Sequence, residues 1–145
     1  MKLVIQKVSN AKVEVEKNVV SEIEKGFLVL FGVGKGDTKE QADFLAEKLC
    51  NLRVFNDENK KMNLSIKDIN GELLIVSQFT LYADCKKGNR PSFVKAEEPK
   101  MANELYEYFI NKCKKYVKKV ENGIFGANMQ VSLLNDGPVT IILEK

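Results

Sequence analysis

The first residues of the chain, KLVIQKVS (Lys2–Ser9) and then KVEVEK (Lys12–Lys17), carry the short apolar–polar period of strands with one buried face. FLVLFGV (Phe27–Val33) is almost continuously apolar and predicts a strand covered on both faces. The period then lengthens. Asp37 or Thr38 can cap a helix, with Glu40 or Gln41 three residues on, and Ala42, Leu45, Leu49 and Leu52 supply its apolar face. FNDENKKMN reads as a polar loop, ELLIVSQFTLYA (Glu72–Ala83) as a second buried strand, and DCKKGNRPSF (Asp84–Phe93) as a long basic loop. A second helix is predicted from near Pro99, with Met101, Leu105, Phe109, Tyr116 and Val120 along one side and ENGIFGAN ending it. MQVSLL and VTIIL are the last two strands, so strands and helices are mixed around what should be one core.

Between those last strands lies NDGPVT, Asn135–Thr140. Asn-Asp-Gly is hairpin chemistry, because Gly and Asn tolerate the positive φ of tight turns. Pro138 contradicts it: a proline has no N–H for the ladder and sits where the returning strand should begin to pair.

A chain of 145 residues fits a single domain, 1–145, able to bury roughly two-thirds of its unfolded surface without a disulfide or metal. No apolar run approaches the ~20 residues that span a bilayer, and the alternating N-terminus lacks the pattern of a signal peptide. A cytoplasmic protein without membrane contact is expected. Cys50, Cys85 and Cys113 are odd in number and lack C-x-x-C spacing, which fits reduced thiols. The net charge of +3 implies no particular partner, but 21 of the 23 basic residues are Lys, with Arg only at 53 and 90. Lysines meet phosphate as point charges, so any nucleic acid should be held by its backbone.

There is no histidine. Ser-His-Asp and Cys-His catalysis and His-containing zinc sites are therefore excluded.

FGVGKGDT resembles a phosphate loop, but Asp37 stands where G-x-G-x-x-G needs its third glycine, so a glycine-rich turn is the better reading. The five lysines from Lys112 to Lys119 scatter at helical spacing and suit a solvated face, with Lys112 and Lys119 at its edge. Lys86, Lys87 and Arg90 are denser and are the candidate phosphate contacts. Cys85 beside two lysines could be a nucleophile, yet lacks the usual base; Cys50 and Cys113 read as packing residues within the helices. SQFTL (Ser77–Leu81) places three polar side chains in an apolar strand, more than packing requires, and suggests a binding or oxyanion site.

Taken together, KMNLS, VSQFTL, GNRPSF and FGANMQVSLLNDGPVT, in this order over the whole length, resemble the D-aminoacyl-tRNA deacylase family of the D-Tyr-tRNA deacylase type. The resemblance implies an α/β fold of mixed, largely antiparallel sheets in a barrel-like arrangement with two main helices. It implies a cytoplasmic homodimer that hydrolyses the ester of D-aminoacyl-tRNA, and glycyl-tRNA as well, with tRNA as partner and no DNA, cofactor or metal. Ser77, Gln78, Phe79, Thr80 and Leu81 would line one subunit's pocket, while Gly137 and Pro138 of the partner subunit, joined by a cis bond, would exclude L-side chains. The substrate's 2′-hydroxyl would help activate water, with the N–H groups of Phe79 and Thr80 holding the oxyanion. Thr80 suits a hydrogen-bonding role better than a nucleophilic one, for want of a base. Lys7 departs from the family's usual Arg, which helps lock the Gly-Pro element. A non-catalytic RNA-binding module and a small-molecule hydrolase using Cys85 or Thr80 are the rival classes.

Overall fold

The computed structural model describes residues 1–145. Its elements are β1 (Lys2–Val15), β2 (Asn18–Ile23), β3 (Gly26–Gly32), α1 (Lys39–Asn51), β4 (Phe55–Asn56), β5 (Met62–Leu64), β6 (Glu72–Ser77), a 3-10 turn (Phe79–Tyr82), α2 (Pro99–Cys113), β7 (Val120–Asn122) and β8 (Gln130–Glu144). β1 pairs antiparallel with β3 along its first half, with β2 along its second, and with β8 on its other side. β3, β6 and β7 run parallel to one another. The sheet curls until β2 lies against β6 and β7. At its far side Met129, just before β8, packs on Gly123 at the end of β7. The result is a nearly closed, barrel-like mixed sheet with two helices on its outer face.

Both faces of the central strands are apolar because both are covered. Phe27, Val29 and Phe31 of β3 and Leu73 and Ile75 of β6 face the helices, where they meet Leu45 and Leu49 of α1 and Leu105 and Phe109 of α2. Their alternates, Leu28, Leu74 and Val76, face the inside of the curl with Val8, Ala11 and Val13 of β1. The ring of Phe31 lies 4.6 Å from that of Phe109. Side chains of this size stabilise by about 1.5–3 kcal/mol each when fully buried. α1 begins in a capping box: Thr38 accepts from Glu40 N–H, and Gln41 Oε1 accepts from Thr38 N–H at 2.9 Å. No helix is long and apolar enough to cross a membrane.

Four expectations need correction. The two N-terminal runs form one strand of 14 residues, with only Ser9 and Asn10 exposed where its partner changes from β3 to β2. The loop FNDENKKMN is in part a small hairpin, its ends paired as β4 and β5. α2 stops at Cys113, leaving Tyr116 outside the helix and Val120 paired with Leu73 in the sheet, while Met101 is exposed. Lysines at 114, 115, 118 and 119 would repel at i,i+4 spacing in a longer helix, and Lys119 instead pairs with Glu72 at 2.8 Å. Lastly, MQVSLL and VTIIL are not two arms of a hairpin. They are parts of one strand, β8, paired with β1 on both sides of the motif. The ladder runs Val8↔Asn135 and then Gln6↔Thr140, so Asp136–Val139 bulge out opposite Lys7 alone. A residue without an N–H is tolerated in an outward bulge on an edge strand, and β8 is such an edge.

Candidate active site

β6 ends at Ser77 rather than running on to Ala83, because its neighbour β3 ends too: the last pair is Phe31↔Ser77, and Gln78 N–H closes the ladder on Phe31 O at 2.8 Å. Beyond it the chain turns sharply through Phe79–Tyr82. Gly32 permits the turn, since a Cβ there would lie 3.1 Å from the Cβ of Leu81. The polar residues of SQFTL thus sit at and beyond the carboxyl ends of two parallel strands, the place where open parallel sheets bind ligands.

A cavity of about 500 Å3 opens at this point. Its floor is Phe31, Val76 and Ser77, and Gln78 and Phe79 form one wall. The opposite wall is Phe125–Met129, which connects β7 to β8, and Pro99 and Ala102 of α2 close one end. Glu97 is the one carboxylate of the lining, and its oxygens accept from Gly36 N–H at 3.2 Å and Glu98 N–H at 2.8 Å. Gln78 Nε2 donates to Thr80 Oγ1, which fixes the threonine hydroxyl without offering it a base. Phe79 and Thr80 open the 3-10 turn, so their N–H groups have no acceptor within it and are free to meet a ligand oxygen. Phe79 is 56% exposed and stands edge-on to Phe93 at 4.9 Å.

Behind the cavity, Tyr106 of α2 donates its buried hydroxyl to Ile75 O at 2.7 Å and lies 3.4 Å from Gly123 O. It ties the strand that ends in Ser77 to the segment that becomes the opposite wall, and its ring lies 6.0 Å from that of Phe125. Burial pushes the phenol well above its ordinary pKa, so it stays neutral.

The remaining candidates lie outside the lining of this cavity, Leu81 among them. Lys86, Lys87 and Arg90 are exposed on the loop that follows the 3-10 turn, cinched at its neck by backbone bonds between Asp84 and Ser92 of 2.8 and 2.9 Å. None of the three is in an ion pair, whereas Lys112 is held by Asp43 at 2.9 Å. Cys85 faces a separate cleft with Lys2, Tyr82 and Lys86, and Cys50 and Cys113 are buried. Within the chain, Gly137 and Pro138 line no part of the cavity; they project, exposed, from the bulge of β8. The bond between them is cis, and Gly137 has φ +133°. Lys7 Nζ pairs with Asp136 at 3.3 Å, Asn135 Oδ1 accepts from Val139 N–H at 3.3 Å, and Asn135 Nδ2 donates to Thr140 Oγ1 at 3.3 Å. The bulge is therefore fixed from both ends.

Residues 4–144 match the family described as D-Tyr-tRNA(Tyr) deacylase. The chain belongs to that family. Among its relatives, a D-aminoacyl-tRNA deacylase of Thermosipho africanus (strain TCF52B) is 65% identical over 144 residues, covering 99% of this chain and 97% of the relative. The D-aminoacyl-tRNA deacylase of Flavobacterium psychrophilum is 53% identical over 145 residues, with the same coverage. The solved structure of a c-Myc DNA Unwinding Element Binding Protein matches with a TM-score of 0.95 at 41% identity, over 100% of this chain and 99% of the other. A probable eukaryotic D-amino acid tRNA deacylase matches with a TM-score of 0.81 at 17% identity, over 98% and 97%, a likeness of fold alone. In this deacylase-family chain the wall Phe125–Met129, together with Glu97, was not identified from side-chain chemistry. The one local signal was the glycine of FGAN, Gly126, which adopts φ +75°.

Proposed function

We propose that the chain hydrolyses the ester between a D-amino acid and the terminal adenosine of tRNA, acting as a homodimer in which each subunit completes the other's cavity. The hydrolase class follows from family membership. The observation that carries the reading is the pair of free N–H donors, Phe79 and Thr80, beside a largely apolar cavity of about 500 Å3 whose lining includes no nucleophile–base pair. Such donors stabilise the oxyanion of acyl transfer without a protein nucleophile. Water adds to the aminoacyl carbonyl carbon, the carbonyl oxygen takes the negative charge against Phe79 and Thr80 N–H, and the carbon–oxygen ester bond then breaks. The ribose oxygen takes up a proton as free amino acid and tRNA separate. The ribose 2′-hydroxyl helps to activate the water, in place of the base that the protein lacks. Ser77 and Gln78 complete the pocket edge, and Gln78 holds Thr80 as a hydrogen-bonding residue.

Two features support the dimer. β8 pairs only with β1, leaving a strand of 15 residues with one open edge. Leu134 and Ile142 on it are 57% and 63% exposed, and such an edge is a template for a second chain. Gly137 and Pro138 project from the same strand and line no part of the cavity in their own subunit. Placed in the neighbouring cavity, Gly137 of the partner subunit and Pro138 of the partner subunit present backbone oxygens where an L-side chain would lie, so selection works by rejection. Glycine has no side chain to reject, and glycyl-tRNA passes. Lys86, Lys87 and Arg90 draw in the phosphate backbone of tRNA, in the cytoplasm, with no DNA and no membrane involved.

The test is release of free amino acid from D-tyrosyl-, L-tyrosyl- and glycyl-tRNA by the purified protein, with its mass in solution measured alongside. Turnover of the D- and glycyl substrates by a dimer, undiminished by Cys85→Ser and by a DNA duplex competitor, is expected. A monomer, or equal turnover of D- and L-substrates, would sink the cross-subunit filter. Absence of any release would sink the activity.

A further inference from the structure

A second groove, of about 420 Å3, runs from the far side of Phe125 along α2. On one side stand Asn103, Glu107, Asn111 and Lys114, spaced i, i+4, i+8 and i+11, a single stripe about 16 Å long. Asn122 and the exposed Ile124 form the other side. Phe125 belongs to both this groove and the candidate active site, so the two are consecutive compartments divided by one aromatic ring.

Resting on the deacylase reading above, we propose that this groove binds the nucleotide that precedes the terminal adenosine, a cytidine in the single-stranded 3′ tail of tRNA. The length of the stripe suits one or two nucleotides beyond the adenosine. Phe125 offers a stacking face at the junction, and stacking on aromatic side chains is a main source of affinity for single strands. The polar groups suit a cytosine edge. Its exocyclic amine is a donor for the Glu107 carboxylate, and its ring nitrogen and carbonyl oxygen are acceptors for an amide. Asn103 Nδ2 donates to Glu107 Oε1 at 3.1 Å and Asn122 Nδ2 to Gly123 O at 2.9 Å, while Asn111 is exposed on the groove with its side-chain amide unpaired. Asn111 is thus the free donor.

Phosphate is provided for at the far end. Lys112 and Lys119 of the lysine run are taken by Asp43 and Glu72, but Lys114, Lys115 and Lys118 are exposed and in no ion pair. They more than offset the partial negative charge of the α2 C-terminus, which would otherwise repel a phosphate. Lys86, Lys87 and Arg90 line neither this groove nor the cavity and belong to the loop whose Phe93 meets Phe79.

The experiment compares kcat/KM for two esters, 3′-O-D-tyrosyl-adenosine and the same ester of cytidylyl-(3′→5′)-adenosine. The added cytidine should raise kcat/KM about tenfold or more, and Asn111→Ala, Glu107→Ala and Lys114→Ala should each cut that ratio, with the adenosine ester as every variant's own reference. Uridine in place of cytidine sets a carbonyl against Glu107 and should lose most of the gain. A wild-type ratio near one, a ratio unaltered in all three variants, or equal gains from uridine and cytidine would overturn the assignment. Hydrolysis of the adenosine ester without any gain is failure of the groove; no hydrolysis of either ester is failure of the reaction. In the latter case binding decides the groove without turnover. Amide NMR shifts at Asn111, Lys114 and Asn122 should appear with cytidylyl-adenosine and not with adenosine monophosphate, and identical shifts with both would overturn the proposal.

Discussion

Replacing Tyr106 by Phe removes one buried hydroxyl and nothing else, and the structure sets the size of the effect. The hydroxyl donates to Ile75 O, but that oxygen also accepts from Gly123 N–H at 3.0 Å. Gly123 O, 3.4 Å from the hydroxyl, retains Asn122 Nδ2 at 2.9 Å. Neither carbonyl is orphaned, so the penalty of about 1–3 kcal/mol for a stranded buried polar group does not apply. What is lost is the net worth of one hydrogen bond, about 0.5–1.5 kcal/mol. For a domain of this size that lowers Tm by roughly 3 °C. The functional loss should be out of proportion to it, because the hydroxyl links the strand that ends in Ser77 to the wall that begins near Phe125. A severalfold fall in kcat/KM on D-aminoacyl-tRNA is expected in protein that is still fully folded. Thermal unfolding and deacylation of the same samples make the comparison. Destabilisation beyond ~3 kcal/mol would mean that the two remaining donors do not satisfy the carbonyls. Unchanged activity at the expected Tm would mean that Tyr106 does not position the wall.

Gly137→Ala places a Cβ 2.7 Å from Val139 Cγ2 at φ +133°, a strain of about 1–3 kcal/mol in a bulge held at both ends; the D/L ratio of turnover should fall with only a modest drop in Tm, and an unchanged ratio would refute the role of the bulge. Changing Lys86, Lys87 and Arg90 together to Ala should weaken tRNA binding and flatten the slope of log K against log salt by about 2–3, which a salt titration of affinity measures; an unaltered slope would show the loop to be merely solvated. Asp43 is held below the usual carboxylate range by its hydrogen bond from Lys112, then by that from Tyr108. A carboxyl depressed in the folded state contributes stability above its ordinary pKa and loses it as pH falls through the folded value. Asp43→Asn should therefore be less stable than wild type at pH 7, with the gap closing below about pH 4 in denaturant melts; a gap independent of pH would refute the pairing.

How legible each part was follows from how local its causes are. The start of α1 was readable because Thr38 and Gln41 satisfy each other within one turn. The apolar runs of β3 and β6 were readable because burial on both faces leaves a continuous stretch of apolar residues. The end of α2 was not: apolar residues continue at helical spacing to Tyr116 and Val120, but Val120 is apolar because it pairs with Leu73, nearly fifty residues earlier. The break after Ser77 had the same non-local origin, since β6 stops where β3 stops. SQFTL still stood out, because polar side chains at the end of an apolar run are unexpected whichever element carries them. The facing wall, Phe125–Met129, carries no charged or nucleophilic side chain, and only the fold brings it to the cavity.

The Gly-Pro step is a different case, since the conflict was visible in the sequence while its resolution was not. Hairpin residues followed by a proline break a local rule, and rules are most often broken at functional sites. The structure resolves the conflict by keeping β8 straight and expelling four residues opposite Lys7. Three contacts then fix the expelled segment, and one of them uses Lys7, a lysine only 7% exposed. Placing an ammonium there costs desolvation, against which act the ion pair with a half-exposed Asp136 and the ring of Phe55 at 5.9 Å. A segment with no function beyond continuing the strand would need neither a charged residue at position 7 nor a bulge opposite it. On the proposed reading the shape of the bulge is itself what is selected, because Gly137 and Pro138 line no part of the cavity in their own chain and that shape finds its use in the cavity of a second copy.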